Sequence, residues 1–114
     1  MKDDLKNKIS NSLQSKLILI TGATGGFGKM LTKTFADFKA KLILLGRNKE
    51  QLNQLAFETS SETNNKNIYP ITVDFKDLDK LSQKAQSIVK QYGTPNVLIN
   101  NAGIQGPIGK LWDN

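Results

Sequence analysis

The run Thr21-Gly22-Ala23-Thr24-Gly25-Gly26-Phe27-Gly28 is where this chain concentrates its capacity for chemistry. Glycines packed at this density let a backbone approach a ligand that side chains would hold away. Gly22 suits a tight turn. Gly25 or Gly26, lacking Cβ, lets the main chain close on a pyrophosphate, and Gly28 lets a helix lie close to a strand. Free N–H groups at a helix start, reinforced by the helix dipole, then face the anion. No Gly-Lys-Ser/Thr follows, so the phosphate loop of ATPases and GTPases is excluded. The chain also holds no cysteine and no histidine. That removes disulfides, thiol nucleophiles, histidine general bases and the usual zinc sites together.

Such a turn works only between a strand and a helix, and the flanking sequence supplies both. Residues 17–20, 42–45 and 97–99 are short, near-continuous apolar runs of the kind found in strands covered on both faces. Residues 68–73 form a fourth run, whose Pro70 cannot donate to a ladder and so predicts an edge strand or an irregularity. Between the runs the period becomes helical. Phe27, Met30, Leu31, Phe35 and Phe38 fall on one stripe, then Leu52, Leu55 and Ala56, then Leu78, Leu81, Ala85, Ile88, Val89 and Tyr92. Asn48 and Asp77 are expected N-caps, and Gly93 followed by Pro95 a helix stop. Residues 60–67 read as a loop. Residues 1–15 read as a frayed arm from which Leu13 packs on the domain, in preference to a helix with Leu5, Ile9 and Leu13 on one face. The order β-α-β-α-β-α-β implies an α/β fold, a parallel sheet joined by right-handed crossovers.

Composition narrows the function classes. With 38% apolar and 23% charged residues the chain suits a globular domain. No apolar run approaches the roughly 20 residues of a membrane helix. Residues 1–16 lack the apolar centre of a signal peptide, so a cytoplasmic location is expected. The formal net charge of +6 comes from sixteen lysines and arginines spread singly along the chain, with no interleaved aromatics. Nucleic acid and membrane are therefore not expected as partners, whereas a phosphate-rich cofactor gains from the field.

The glycine run resembles the Thr-Gly-x-x-x-Gly-x-Gly signature of the short-chain dehydrogenase/reductase family. It equally matches Thr-Gly-x-x-Gly-x-x-Gly, the form of the family's epimerases and dehydratases. Asn100-Asn101-Ala102-Gly103, placed after the fourth strand roughly 75 residues on, decides for the shorter dehydrogenase branch. The resemblance covers the chain from Leu13 onward and implies a Rossmann-type doubly wound sheet with strand order beginning 3-2-1-4. It divides the chain into an arm, 1–15, and an NAD(P)-binding domain, 16–114. It also implies a cofactor site built from Thr21, Gly22, Thr24, Gly25, Gly26, Phe27 and Gly28, with Arg47 and Asn48, Asp74 and Phe75, and Asn100, Asn101, Ala102 and Gly103. Asp74 would accept from the adenine amino group or, on the plainer reading, cap the next turn. The family often has aspartate where Asn96 stands, which alters local hydrogen bonding and leaves the cofactor reading intact.

A Rossmann enzyme specific for NAD(H) places an acid about 20 residues past the glycines. Here Leu45-Gly46-Arg47-Asn48 puts glycine at that point and a guanidinium next to it, so NADP(H) is favoured over NAD(H). Lys49 either assists or is simply solvated. The family's catalytic serine and Tyr-x-x-x-Lys are not found: four residues beyond Tyr69 and Tyr92 stand Val73 and Asn96. The chain thus reads as the cofactor-binding part of a carbonyl/alcohol oxidoreductase, truncated after Asn-Asn-Ala-Gly, inactive alone and without a nameable catalytic residue. The other class that stays open is a non-catalytic dinucleotide-binding or interaction module. The fourth strand, without its next neighbour, is expected to self-associate or to meet a completing chain.

Overall fold

The computed structural model describes residues 2–101. Elements alternate as α1 (Lys2–Leu13), β1 (Leu17–Thr21), α2 (Gly26–Asp37), β2 (Lys41–Gly46), α3 (Lys49–Thr63), β3 (Ile68–Thr72), α4 (Leu78–Tyr92) and β4 (Val97–Asn100). The strands form one parallel sheet in the order β3-β2-β1-β4, as the sequence implies. Pro70 lies opposite Leu44 in β3, the outermost strand on its side. A missing N–H is harmless there, because that side of the strand has no partner among the described residues.

Strand residues alternate between two cores. Ile18, Ile20, Leu42, Leu44 and Ile68 join Ala36, Leu52, Leu55 and Ala56 beneath α2 and α3. Leu17, Leu19, Ile43, Leu45 and Val73 join Leu81 and Ile88 of α4 on the opposite face. Helices on both faces make the sheet doubly wound, and explain why β1 and β2 read as continuous apolar runs.

Three local expectations are corrected. Residues 2–13 form a helix rather than a frayed arm. It ends where Lys16 N–H donates to the Leu13 carbonyl at 2.9 Å and Ser15 takes φ 71°, while Leu13 packs on the core. Residues 60–63 continue α3 instead of opening a loop. Thr63 Oγ1 donates to the Thr59 carbonyl at 2.7 Å, Lys33 pairs with Glu62 at 3.0 Å, and the left-handed Asn64 ends the helix.

The third correction concerns α2. Its buried row is Gly28, Thr32 and Ala36, while Phe27 and Met30 stand more than half exposed, and Leu31, Phe35 and Phe38 are half-buried. The cause is the spacing of helix and sheet. A Cβ on Gly28 would come 2.3 Å from the Gly22 carbonyl oxygen and 2.8 Å from Ala23 Cα. Only small residues fit a helix drawn this close, so the large ones turn to the flanks. In α4 the expected residues Leu81, Ala85 and Ile88 are buried, with Leu78 exposed at the first turn.

Gly28→Ala is expected to lower stability by about 3 kcal/mol, the upper range for overpacking, because backbone atoms cannot step aside. Gly26→Ala, whose Cβ would meet nothing within 4 Å, is expected to shift it by less than about 1 kcal/mol. Urea unfolding midpoints compare the two directly, and equal losses would deny that the close approach is what holds α2.

Candidate functional site

A parallel sheet brings the carboxyl ends of its strands to one edge, and the residues singled out in the sequence gather there. Thr21 is level with Asn100 across β1 and β4, and Gly46 with Thr72 across β2 and β3. Gly22 leaves β1 at φ 61°, a conformation open to glycine at little cost. Gly25 N–H then donates to the Gly22 carbonyl at 3.2 Å, closing the turn.

Gly25 is the N-cap of α2 and has no side chain with which to cap it. The first helical bond runs from Lys29 N–H to the Gly25 carbonyl at 2.8 Å. The amides of Gly26, Phe27 and Gly28 therefore precede the helical ladder. By contrast, the Asn48 side chain caps α3 by accepting from Gln51 N–H at 3.0 Å, and Asp77 caps α4 by accepting from Lys80 N–H at 3.1 Å. Gly25 and Gly26 are exposed, Thr24 half-buried, and no protein atom would touch a Cβ at Gly26. The start of α2 is thus a bare, positively polarised backbone surface, open in front of Gly26, one of the two glycines the sequence offered for a close approach to a pyrophosphate.

Behind it lies a contact that the sequence named without its role. Thr21, fully buried, donates from Oγ1 to Asn100 Oδ1 at 2.9 Å and accepts from Asn101 N–H at 3.0 Å. Asn101 Nδ2 reaches the Gly22 carbonyl at 3.4 Å. One hydroxyl therefore fastens the glycine turn to the end of β4. A polar residue closing an otherwise apolar strand was the available signal. At the other end of β4, Asn96 and Leu17 exchange two bonds, Leu17 N–H to Asn96 Oδ1 and Asn96 N–H to the Leu17 carbonyl, both 2.8 Å. The amide oxygen thus accepts where a carboxylate would have accepted.

Arg47 and Asn48 are exposed beyond β2, next to the buried Gly46. Gly46 also meets a packing limit that the sequence did not reveal, since a Cβ there would lie 3.3 Å from the methyls of the fully buried Leu52. Asp74 is exposed and its Oδ1 accepts from Lys76 N–H at 3.0 Å, so it shapes the β3–α4 turn, with Phe75 half-buried against the core beside it. Ala102, Gly103, Trp112 and the rest of the segment 102–114 lie outside the described residues. Among the described residues no three acidic side chains converge as a metal site, and no helix is long and apolar enough to cross a membrane.

A family model for short chain dehydrogenases matches residues 16–113. The chain belongs to the short chain dehydrogenase family. It is 36% identical over 94 residues to mouse dehydrogenase/reductase SDR family member 7B, covering 81% of this chain and 29% of the relative. It is 32% identical over 99 residues to the NADPH-dependent pterin aldehyde reductase of Arabidopsis thaliana, covering 87% and 40%. Its fold is similar to that of a short chain dehydrogenase of Shigella flexneri 2a complexed with NADP. There the TM-score is 0.73 at 35% identity, covering 82% of this chain and 40% of that one. The chain spans less than half the length of these short chain dehydrogenases.

Because Thr21 Oγ1 serves both the Asn100 side chain and the Asn101 amide, Thr21→Val is expected to cost about 1–3 kcal/mol by leaving a partly buried N–H without a partner. Thr21→Ser keeps the hydroxyl and should recover most of that loss. Amide hydrogen exchange reads the effect locally, and unchanged protection at Asn101 in the valine variant would show that the hydroxyl fastens nothing.

Proposed function

We propose that this chain holds NADP(H), in preference to NAD(H), and is the cofactor-binding part of an oxidoreductase that interconverts a carbonyl and an alcohol. The observation that carries the reading is the uncapped start of α2, where Gly26 opens onto space that a side chain would fill. The amides of Gly26, Phe27 and Gly28 and the Thr24 side chain would hold the pyrophosphate. Thr21 keeps Asn100 and Asn101 against the turn and so sets the wall on the β4 side. Asp74 and Phe75 would border the adenine.

Arg47 would hold the 2′-phosphate. Its guanidinium is a planar fork that binds phosphate oxygens in pairs. Gly46 supports the same preference by leaving no carboxylate at the strand end to repel a phosphate. The names of the similar proteins agree with it, one being NADPH-dependent and another complexed with NADP.

When bound, the nicotinamide supplies or accepts the hydride; these residues fix its position and bring no proton to the substrate. Tyr69 donates its hydroxyl to Asn67 Oδ1 at 3.1 Å, and its ring lies 4.7 Å from that of Tyr92. Neither tyrosine has a lysine four residues further on.

Competition binding is expected to rank NADP(H) above NAD(H), and Arg47→Asp to weaken NADP(H) by roughly ten- to a hundredfold. Equal affinities for the two nucleotides in the unaltered chain would leave Arg47 without this role. Gly26→Leu should abolish both affinities while leaving the melting temperature nearly unchanged.

The 114-residue chain on its own is expected to oxidise no NADPH with a panel of aldehydes, ketones and quinones. Among the described residues no Tyr-x-x-x-Lys supplies the general acid–base help, worth about 10²–10⁴-fold, or the oriented donors, worth a further 10²–10³-fold. Reduced-cofactor absorbance follows the reaction. Turnover that disappears in Gly26→Leu would show that an acid within these residues had been overlooked.

A further inference from the structure

At the amino ends of the strands, opposite the glycine turn, Gln14, Ser15, Lys39, Lys41, Asn64, Asn65, Lys66 and Asn67 line a depression of about 500 Å³. Among the described residues its lining carries three ammonium groups, a hydroxyl and four side-chain amides, and no carboxylate. Asp37, two residues before Lys39, is not part of it. From this composition we infer a second anion site, distinct from the cofactor end, which takes a small multivalent anion such as a diphosphate.

The backbone supports the inference. Ser15, Lys39 and Asn64 are the only residues other than glycine with positive φ among those described, at 71°, 69° and 58°, and all three line the depression. Each follows a helix, a place where glycine is the residue of least strain. Asparagine tolerates that conformation, whereas a left-handed lysine is strained relative to its usual backbone. Three residues whose side chains can donate to an anion thus stand together at helix ends.

Helix polarity also has to be weighed. The C-terminal ends of α1, α2 and α3 meet here and present partial negative charge, equivalent to roughly half a charge each. Lys39 answers one of them, donating from Nζ to the Thr63 carbonyl at 3.0 Å. Asn65 answers another, its Nδ2 donating to the Ala36 and Ala40 carbonyls at 3.1 and 2.7 Å. Lys41 and Lys66 have no hydrogen-bonded or ion-paired partner among the described residues. Two ammonium groups therefore face the depression beyond what the helix ends neutralise. A cavity of this size suits a small molecule rather than a macromolecular surface.

The test is an amide NMR titration of the full chain with sodium pyrophosphate, with sodium chloride at matched ionic strength as reference. Saturable shifts at Ser15, Lys39, Asn64, Lys66 and Asn67, which chloride does not reproduce, are expected. Lys39→Gln/Lys41→Gln/Lys66→Gln should weaken the binding by about tenfold or more, whereas Lys80→Gln/Lys84→Gln/Lys90→Gln, with the same change in net charge, should leave it within about twofold. Shifts confined to residues 22–28, equal weakening in the two triple variants, or no saturation beyond the chloride reference would each overturn the site. Because shifts are read residue by residue, the result does not depend on whether the glycine turn binds NADP(H).

Discussion

The contact between Gly28 and the Gly22–Ala23 backbone governs much of what surrounds it. With no room even for a methyl group, α2 lies against the end of β1 as closely as two backbones allow. The row facing the sheet is then confined to Gly28, Thr32 and Ala36, and Thr32 disposes of its hydroxyl within the helix by donating to the Gly28 carbonyl at 2.7 Å. The same approach sets the first amides of α2 just beyond the strand end, with nothing in front of Gly26. The open amides at the start of α2 and the packing of the helix are consequences of one geometry. A larger residue at position 28 would displace the amides as well as loosen the core.

That geometry would be of little use if the turn moved independently of the rest of the sheet edge. Thr21 prevents this by linking the glycine turn to Asn100 and Asn101, while Asn96 and Leu17 secure the opposite end of the same strand pair. β4 is only four residues long and its side chains are at most half-buried. Side-chain bonds at both ends therefore matter more to its register than apolar burial does. β2, with five of its six residues buried, needs no such device.

How much of this could be read beforehand depended on the distance over which each feature is determined. The alternation of strands and helices, the Asn48 and Asp77 caps and the Gly93 stop follow from local patterns and were legible, whereas the strand order came with the family resemblance. So was the gathering of the glycine turn, Arg47, Asp74 and Asn100 at one sheet edge, since a parallel sheet admits no other placement. The apolar stripe of α2 misled because periodicity records where large residues lie, whereas the helix–sheet distance is set by the smallest ones. Residues 60–63 have the polar composition of a loop, yet they stay helical through bonds from Lys33 and Lys39, far away in sequence. The linkage of Thr21 to residues nearly eighty positions on, and the Gly46–Leu52 limit, are tertiary facts that no local window contains.

The direction of the chain through a parallel α/β sheet also fixes an electrical asymmetry. Every crossover helix begins where one strand ends and finishes where the next begins, so positive dipole ends collect on the carboxyl side of the sheet and negative ends on the other. On the carboxyl side, backbone amides can hold an anion with few cationic side chains, and Arg47 is the one guanidinium in the chain. On the amino side, the helix ends oppose an anion, and any attraction must come from side chains. Lys39, Lys41 and Lys66 stand at that end with no acid among the described residues of the lining. Three of the lysines that look evenly spread along the sequence are thus brought together, at the end of the fold where the backbone itself would turn an anion away.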